Sequence, residues 1–240
     1  MNKKEYIKDQ VTVIIPVYNE ERFLRQALES VVNQVDRVII GDNASTDNTE
    51  VICREFMDKY DYITYFRNSK NLGSCQNFIL CAEKVDTEFV FHIGGHDLIP
   101  PDYVAKLKKT ILANPDAVYA YADCQIIDCD GKFLSRQEYN NQYAENPYGR
   151  MLAPYLADSR PIIRATEFIL HDNPCSILFG LCRTQKVIKE WLISRPIAGL
   201  DVVTLFNLLL SGIFIHSSDT EFYLRDVHQS WSFVSEEYKS

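Results

Sequence analysis

The sequence predicts an α/β fold in which a mostly parallel central sheet carries helices on both faces. Four apolar, β-branched runs of strand length, at residues 11–17, 37–42, 62–66 and 88–93, alternate with segments whose apolar residues recur at helical spacing. Each run also stops at a polar segment rich in turn-forming residues. Alternating strands and helices of these lengths are typical of parallel sheets, because a parallel connection needs a crossover helix.

The first strand and helix illustrate this pattern. The run VTVIIPV at 11–17 is continuously apolar, as in parallel strands that are buried on both faces. Asn19 follows it and can cap a helix whose first turn contains Glu20 and Glu21. The apolar face of that helix comprises Leu24, Ala27, Leu28, Val31 and Val32. We therefore expect the helix to begin directly after Asn19.

The loops after the four strands are expected to form one site. Right-handed crossovers place them together at the carboxyl edge of the sheet, which is where open α/β sheets bind ligands. These loops follow Val17, Gly41, Phe66 and Ile93.

The second half of the chain has a less regular pattern. AVYAYADCQIIDCDGKF predicts two strands joined by a DG turn before Lys132. Residues 135–160, rich in Tyr, Asn and Arg, predict a mobile loop or short helices over the sheet edge. The remaining elements are a helix near 164–171, a strand at SILFGLCR, and helices near 185–193 and from Asp201 to Leu210. Because no repeat or linker interrupts the chain, we expect one domain, residues 1–240, with two halves.

Composition and charge exclude several classes of protein. A hydrophobic content of 46% with 24% charged residues is ordinary for a globular protein. The net charge of −8 and the pI near 5.2 argue against a nucleic-acid partner, which would need a basic face. Seven cysteines, an odd number without a C-x-x-C pair, predict reduced thiols in a cytoplasmic protein rather than a zinc site or a disulfide framework.

Two segments bear on membrane attachment. The N-terminal MNKKEYIKDQ has lysines but no apolar stretch behind them, so a signal peptide is not expected. VVTLFNLLLSGIFI is too short and too often interrupted by polar residues to span a bilayer. We expect a cytoplasmic protein whose attachment to the inner face of the membrane, if any, is peripheral or through a partner.

Five segments occur together in a recognisable order. They are VTVIIPVYNEERFLRQALESVVNQ, GDNASTDNT, RNSKNLGSCQNF, FHIGGHDLIPPDYV and AGLDVVTLFNLLLSG. In order and spacing they resemble family 2 glycosyltransferases of the GT-A fold over roughly residues 10–215. The resemblance implies a Rossmann-like sheet in which about residues 10–98 bind a nucleotide sugar and about residues 99–240 bind the acceptor.

The first two loops suit a nucleotide. Pro16, Val17 and Tyr18 offer backbone groups and an aromatic ring to a base, and Asp42 can accept a hydrogen bond from a pyrimidine imide N–H. The resemblance implies that Asp42 reads the uracil of a UDP-sugar. The competing interpretation is that Asp42 only caps the helix that follows. In the third loop, the resemblance places Asn71 and Asn77 near the nucleotide, whereas a turn-forming role is the alternative for both.

The stretch FVFHIGGHDLIP replaces an acidic cluster of the family. Family members usually end this strand in Asp-x-Asp-Asp, which binds a divalent cation at the donor diphosphate. Here Gly94 stands at the first acid, Gly95 follows it, and His96 and Asp97 stand at the second and third acids.

Three accounts of this loop stay open. In the first, His96 and Asp97 bind Mn²⁺ or Mg²⁺ together with His228, which equally fits a surface histidine. In the second, Gly94 and Gly95 free backbone N–H groups that cradle phosphate, with His96 as a cationic partner. In the third, the loop binds the donor but has lost the metal and with it catalytic power.

The segment GLDVV contains the candidate catalytic base. Asp201 matches an acid that family members carry at the start of a helix bordering the acceptor, and Leu200 replaces the neighbouring glutamate. One carboxylate suffices to take the proton from an acceptor hydroxyl while the nucleoside diphosphate leaves from the opposite face. A helix N-cap is the alternative role of Asp201.

Together these features predict an inverting hexosyltransferase. It would move a sugar from a nucleotide sugar, with a UDP-sugar as the expected donor, to a saccharide or lipid-linked glycan. The resemblance implies bacterial surface polysaccharide synthesis as the setting. The alternative is a catalytically weakened module that binds a nucleotide sugar or glycan as an assembly partner. The sequence leaves a homo-oligomer open.

Overall fold

The computed structural model describes residues 5–134, 156–170, 177–193 and 200–227, without the side chains of 190–193 and 200–202. The strands of these residues are β1 (Ile7–Val17), β2 (Arg37–Asp42), β3 (Ile63–Arg67), β4 (Thr87–His92), β5 (Ala117–Ile127), β6 (Leu181–Arg183) and β7 (Ile213–Arg225). Their helices are α1 (Leu24–Val31), α2 (Thr49–Lys59), α3 (Ser74–Ala82), α4 (Tyr103–Leu112), α5 (Pro161–Leu170), α6 (Thr184–Ile193) and α7 (Leu200–Ser211).

These strands form one sheet in the order β3-β2-β1-β4-β6-β5-β7. β1 pairs in parallel with β2 and β4, β2 pairs in parallel with β3, and β5 pairs in parallel with β7. The short β6 runs antiparallel between β4 and β5. The predicted α/β class with a mostly parallel central sheet is therefore confirmed.

Alternate side chains of the central strands enter two cores on opposite faces of the sheet. On one face Val13 and Ile15 of β1 share a core with Leu28 of α1, and on the other Ile14 shares a core with Ala82 of α3. All five are 0% exposed. Burying one Val, Leu or Ile side chain contributes about 1.5–3 kcal/mol. The continuously apolar strands therefore hold helices against both faces, as predicted.

The elements near the site follow the sequence prediction closely, with one correction. β2 has the predicted bounds, and β3 and β4 are displaced by one residue. Helix α1, in contrast, begins at Leu24, and the prediction that it starts directly after Asn19 was wrong. Asn19 has a φ of 54°, whereas a capping residue takes extended backbone, and Leu24 N donates to Glu20 O across a preceding turn over 2.9 Å.

The second half contains a strand that the sequence did not predict. β7 is 13 residues long and forms an edge of the sheet, but polar residues interrupt its apolar pattern. SILFGLCR is strand only over Leu181–Arg183. The predicted turn before Lys132 is present, with Gly131 at a φ of 83° and a hydrogen bond of 2.9 Å from Asp128 N to Lys132 O. In the described residues, the strand predicted after that turn is only an isolated bridge between Phe133 and Ile127.

Residues 135–155, most of the predicted loop region, lie outside the described residues. Within the described residues, every helix is too short or too polar to cross a membrane.

Candidate functional site

The loops after β1, β2, β3 and β4 meet at the carboxyl edge of the sheet, as predicted. Glu20 Oε1 in the first loop lies 2.8 Å from His96 Nδ1 in the fourth. Asn43 in the second loop donates from Nδ2 to Oδ1 of Asn71 in the third over 2.7 Å. Glu20 N donates to Thr49 Oγ1 at the start of α2 over 2.8 Å, which joins the first and second loops. The four loops therefore form one connected site.

Pro16, Val17 and Tyr18 lie where β1 leaves the sheet beside the end of β2. Val17 is opposite Asp42 in the parallel register, and its carbonyl accepts a hydrogen bond of 2.9 Å from Asn43 N. Val17 is buried and Pro16 is partly buried, whereas Tyr18 is 41% exposed. Of the three, Tyr18 offers an aromatic face on which a planar ligand can stack.

Asp42 is a fully buried carboxylate with four donors. Its Oδ1 accepts from the backbone N–H and the hydroxyl of Ser45, at 2.8 and 2.6 Å. Its Oδ2 accepts from the hydroxyl of Tyr65, at 2.9 Å, and from Arg67. Burial raises the pKa of Asp42, but the hydrogen bonds outweigh burial and hold the pKa below its ordinary value. The bonds with Ser45 show that Asp42 orders the loop before α2, and its contact with a base stays a prediction.

Arg67 is a site residue that the sequence prediction missed. It ends β3 opposite Asp42 in the parallel register, and its Nη2 also donates to Ser45 O over 2.7 Å. The side chain of Arg67 is 33% exposed, whereas that of Asp42 is buried. The available signal was an arginine at the end of one strand and an aspartate at the end of the strand beside it. Arg67 is thus the solvent-facing partner of the buried carboxylate.

Asn71 and Asn77 are both hydrogen-bonded within the protein. Asn77 is 2% exposed, its Nδ2 donates to Gly41 O over 2.6 Å, and its Oδ1 accepts from Asn68 Nδ2 over 2.9 Å. Asn71 Oδ1 accepts the bond from Asn43. Both amides therefore hold the loop between β3 and α3, and their contact with a nucleotide stays a prediction.

Gly94 and Gly95 are packed so closely that neither position has room for a side chain. A Cβ on Gly94 would lie 2.7 Å from Asp97 Oδ2. A Cβ on Gly95 would lie 2.9 Å from Glu20 Cγ and 3.1 Å from Val17 Cγ1. Neither glycine has a positive φ, so the requirement is for space. An acid at position 94 would collide with Asp97 in this arrangement.

His96 is held by its ring and is one-quarter exposed. Burial lowers the pKa of His96, but the charge of Asp97 and the hydrogen bond and charge of Glu20 raise it to about 9. The Nε2 atom lies 3.3 Å from the point that a Cβ on Gly94 would occupy. The ring of His96 therefore presents Nε2 to the point beside Gly94.

Asp97 lies beside the same point as His96 Nε2 and is 1% exposed. Its Oδ1 accepts a hydrogen bond of 2.9 Å from Arg225 N, and its Oδ2 is the oxygen nearest to Gly94. Burial raises the pKa of Asp97 above its ordinary value, although His96 and the Arg225 N–H act in the opposite direction.

Arg225 fastens this loop to the end of β7. It is 2% exposed, and its Nε donates to His96 O over 2.7 Å. Its Nη1 donates to the carbonyls of Asp128 and Cys129, both at 2.9 Å, and its Nη2 donates to Gln26 Oε1 at 2.9 Å. Sequence reasoning missed this role because the partners are far apart in the chain.

His96 and Asp97 fit a divalent cation only in part. Nε2 of His96 and Oδ2 of Asp97 approach one point beside Gly94 and could both be ligands there. The described residues contain no group of three or more His, Cys, Asp or Glu side chains suited to a metal. Mg²⁺ is usually held by one or two carboxylates together with substrate phosphates, whereas here one of the two groups is an imidazole. The described residues therefore supply at most two ligands, and metal binding stays a prediction.

Asp201 and His228 are not brought into this geometry. Asp201 lies in the first turn of α7, in agreement with the predicted helix start, but its side chain is outside the described part. His228 also lies outside the described residues. Their roles as base and metal ligand stay predictions.

Comparison with known proteins shows related sequences. The family model described as "Glycosyl transferase family 2" matches residues 12–171. Abequosyltransferase RfbV of Salmonella typhimurium is 31% identical over 112 residues, which are 44% of this chain and 34% of that protein. The uncharacterized glycosyltransferase MG025 of Mycoplasma genitalium is 35% identical over 181 residues, which are 71% of this chain and 59% of that protein. The chain thus spans less than two thirds of the length of these relatives.

Solved structures of S. aureus TarS share the fold. TarS residues 1–349 in complex with UDP-GlcNAc have a TM-score of 0.66 at 18% identity, with 90% of this chain and 58% of that chain covered. The same fragment with UDP has a TM-score of 0.65 at 17% identity, with 94% and 63% covered. This likeness confirms the predicted GT-A architecture. Because the family model covers more than half of the sequence, the chain belongs to glycosyl transferase family 2.

Proposed function

We propose that this chain transfers a sugar from a UDP-sugar to a saccharide or lipid-linked glycan, with inversion at the anomeric carbon. The observation that carries the proposal is the placement of Tyr18, Asp42 and His96 around one sheet edge. An aromatic face, an ionised acceptor and a cationic or metal-binding group match a base, its imide N–H and a diphosphate. The similarity in fold to TarS, which was solved with UDP-GlcNAc and with UDP, supports this class of donor.

In the proposed donor site, about residues 10–98 bind the nucleotide. Asp42 would accept the uracil N–H through Oδ2, with Arg67 moving aside because it is the exposed donor on that oxygen. The guanidinium would then be free to donate to a uracil carbonyl. Asn71 and Asn77 would support this loop beneath the nucleotide, by way of the bonds that hold it in shape.

The diphosphate would lie in the space beside Gly94. We propose Mn²⁺ or Mg²⁺ there, held by His96 Nε2 and Asp97 Oδ2, with His228 as a further ligand. A cation at this position neutralises the charge of a departing nucleoside diphosphate. Cation binding requires Nε2 to give up its proton, which the raised pKa of His96 opposes.

The same raised pKa favours a second mode of binding. A protonated His96 donates directly to phosphate, together with backbone N–H groups of Gly94 and Gly95, without a metal. The two modes make opposite predictions for the effect of a chelator on nucleotide affinity.

In the proposed reaction, Asp201 is the base and residues of about 99–240 bind the acceptor. Asp201 would take the proton from the acceptor hydroxyl as its oxygen bonds to the anomeric carbon. The bond from that carbon to the nucleoside diphosphate breaks on the opposite face, so the configuration inverts. The diphosphate carries away the bonding electrons, and the loop of His96 stabilises the resulting charge.

The second candidate function is a weakened module that binds a nucleotide sugar or glycan as an assembly partner. The observation that favours it is Gly94, where the collision with Asp97 leaves no space for the first acid of the family pattern. Transfer activity that requires Asp201 would exclude it.

We place the reaction in bacterial surface polysaccharide synthesis, in the cytoplasm or at the inner face of the membrane. The proposal is tested by incubating the protein with UDP-, GDP- and dTDP-sugars and candidate glycan acceptors, and by detecting nucleotide release and product mass. Transfer from a UDP-sugar supports it. Nucleotide binding without transfer, unchanged in Asp201→Asn, would favour the binding module instead.

A further inference from the structure

We propose that Glu20 is a positioning residue that orients His96 toward the donor diphosphate. This inference rests on the proposed function, because it assigns a task to the same loop. Glu20 belongs to the loop after β1, whereas His96 belongs to the loop after β4. Their side chains meet through Oε1 and Nδ1 at 2.8 Å.

The contact determines which ring nitrogen faces the ligand. An ionised carboxylate can only accept, so Nδ1 of His96 is the donor to Glu20. The remaining nitrogen, Nε2, is then the atom that meets a phosphate or a cation, and it lies beside Gly94. Ligating histidines in proteins commonly donate their other ring N–H to a carboxylate, which fixes both ring orientation and tautomer.

The backbone of Glu20 is held firmly enough for this task. Its N–H donates to Thr49 Oγ1 over 2.8 Å, and its carbonyl accepts from Phe23 N and Leu24 N at 3.1 and 2.9 Å. The Glu20 side chain is 18% exposed, so solvent competes only weakly for the carboxylate.

Gly95 provides the space that the Glu20 side chain occupies. A Cβ at position 95 would lie 2.9 Å from Glu20 Cγ and 3.2 Å from Glu20 Cβ. The glycine pair therefore has two separate tasks. Gly94 keeps a side chain away from Nε2 of His96 and Oδ2 of Asp97, and Gly95 admits a carboxylate from another loop.

His96 is also held through its backbone. Its carbonyl accepts the bond of 2.7 Å from Arg225 Nε. The backbone is thus fixed by β7 and the ring by the loop after β1. Loss of Glu20 would leave the backbone in place and free the ring alone.

The test compares Glu20→Ala and Glu20→Gln with wild type in the full chain. Glu29→Ala on the exposed side of α1 and Glu21→Gln in the same loop are the matched controls. Nitrogen NMR of the histidine ring reports whether Nδ1 of His96 donates a hydrogen bond, and His96→Ala identifies the signal. Calorimetry measures UDP affinity with and without Mn²⁺, and thermal unfolding verifies the fold.

We expect Glu20→Ala to abolish the hydrogen-bonded Nδ1 signal and to weaken UDP binding in the presence of Mn²⁺, by up to about the ten- to hundredfold that loss of such a partner costs in metal affinity. Glu20→Gln preserves the shape of the side chain and should lose less UDP affinity, because the amide oxygen still accepts a hydrogen bond, although a weaker one than the carboxylate accepts. Both controls should match wild type. Wild-type UDP affinity in folded Glu20→Ala, or an unchanged His96 signal in Glu20→Gln and Glu20→Ala, would overturn the proposal.

Failure of the proposed UDP donor and failure of the proposed role of Glu20 give different results. Wild-type protein that binds no UDP would contradict the proposed donor. The ring signals would then still decide whether Glu20 orients His96.

Discussion

Asp42 and Arg67 form an ion pair across the ends of two parallel strands, with the carboxylate fully buried and the guanidinium one-third exposed. The pair closes the corner of the site that would receive a base. Asp42 has three further hydrogen bonds from Ser45 and Tyr65, and these do not depend on Arg67. The arrangement combines a fixed acceptor with a donor that solvent can reach.

Removing the Arg67 side chain should lower both the free energy of unfolding and the affinity for UDP. We expect Arg67→Ala to lower the free energy of unfolding by about 1–2 kcal/mol, since a buried carboxylate loses one bond and solvent already screens the guanidinium. UDP affinity should fall as well. Urea unfolding and UDP calorimetry measure the two effects. Arg25→Ala, which breaks the exposed pair with Glu55, is the control that should change UDP affinity little. Equal effects of the two substitutions would argue against a role for Arg67.

Acid stability should depend on Asp42. Its pKa is lower in the folded protein than the ordinary value of 3.8, so its contribution to stability is complete above that pH. As the pH falls through the folded pKa, the unfolded state already binds the proton and the contribution is lost. Asp42→Asn should therefore be less stable than wild type at neutral pH, and the difference should shrink below pH 3.8. A difference that is constant with pH would contradict this expectation.

Adding a methyl group at Gly94 should reveal the contact with Asp97. Gly94→Ala is expected to lower the free energy of unfolding by about 1–3 kcal/mol, the usual cost of overpacking. Chemical denaturation measures this cost in the wild-type background and in the Asp97→Ala background, where the Asp97 oxygen is absent. The methyl should cost less in that background. Strict additivity of the two substitutions would indicate that the collision is relieved elsewhere.

Asp201 should be needed for transfer but not for donor binding. We expect Asp201→Asn to reduce the rate of transfer by about 10²–10⁴-fold, the usual contribution of a positioned general base. Product formation and UDP calorimetry separate the two steps. Asp116→Asn, at an exposed position after α4, is the matched control. A parallel loss of UDP affinity in Asp201→Asn would point to a role in donor binding.

The sequence was sufficient to predict the first four strands of the sheet. Continuous apolar runs showed where β1 and β2 end, and the crossover rule then brought their loops together. This is why Asp42, His96 and Asp97 could be predicted at one edge. The predicted helix start directly after Asn19 was wrong because the Asn19 side chain accepts a bond from Thr46 N in the next loop.

Contacts between distant segments could not be read from local patterns. Glu20 appeared to be only a residue of a helical first turn, because nothing near it in the sequence indicates the bond to His96. Arg225 ends a strand whose polar residues mask its period, and its bond to His96 joins residues that are 129 positions apart in the sequence. Such pairs depend on tertiary packing, which overrides local preference.

Calorimetric titration of UDP into metal-free protein tests the proposed donor site. It is done with and without added Mn²⁺ or Mg²⁺ and is repeated on His96→Ala. The proposed donor site predicts UDP binding that His96→Ala weakens. Dependence on metal would identify the cation-bridged mode, and independence would identify direct donation by His96. Absence of UDP binding under every condition would contradict the assignment of a UDP-sugar donor.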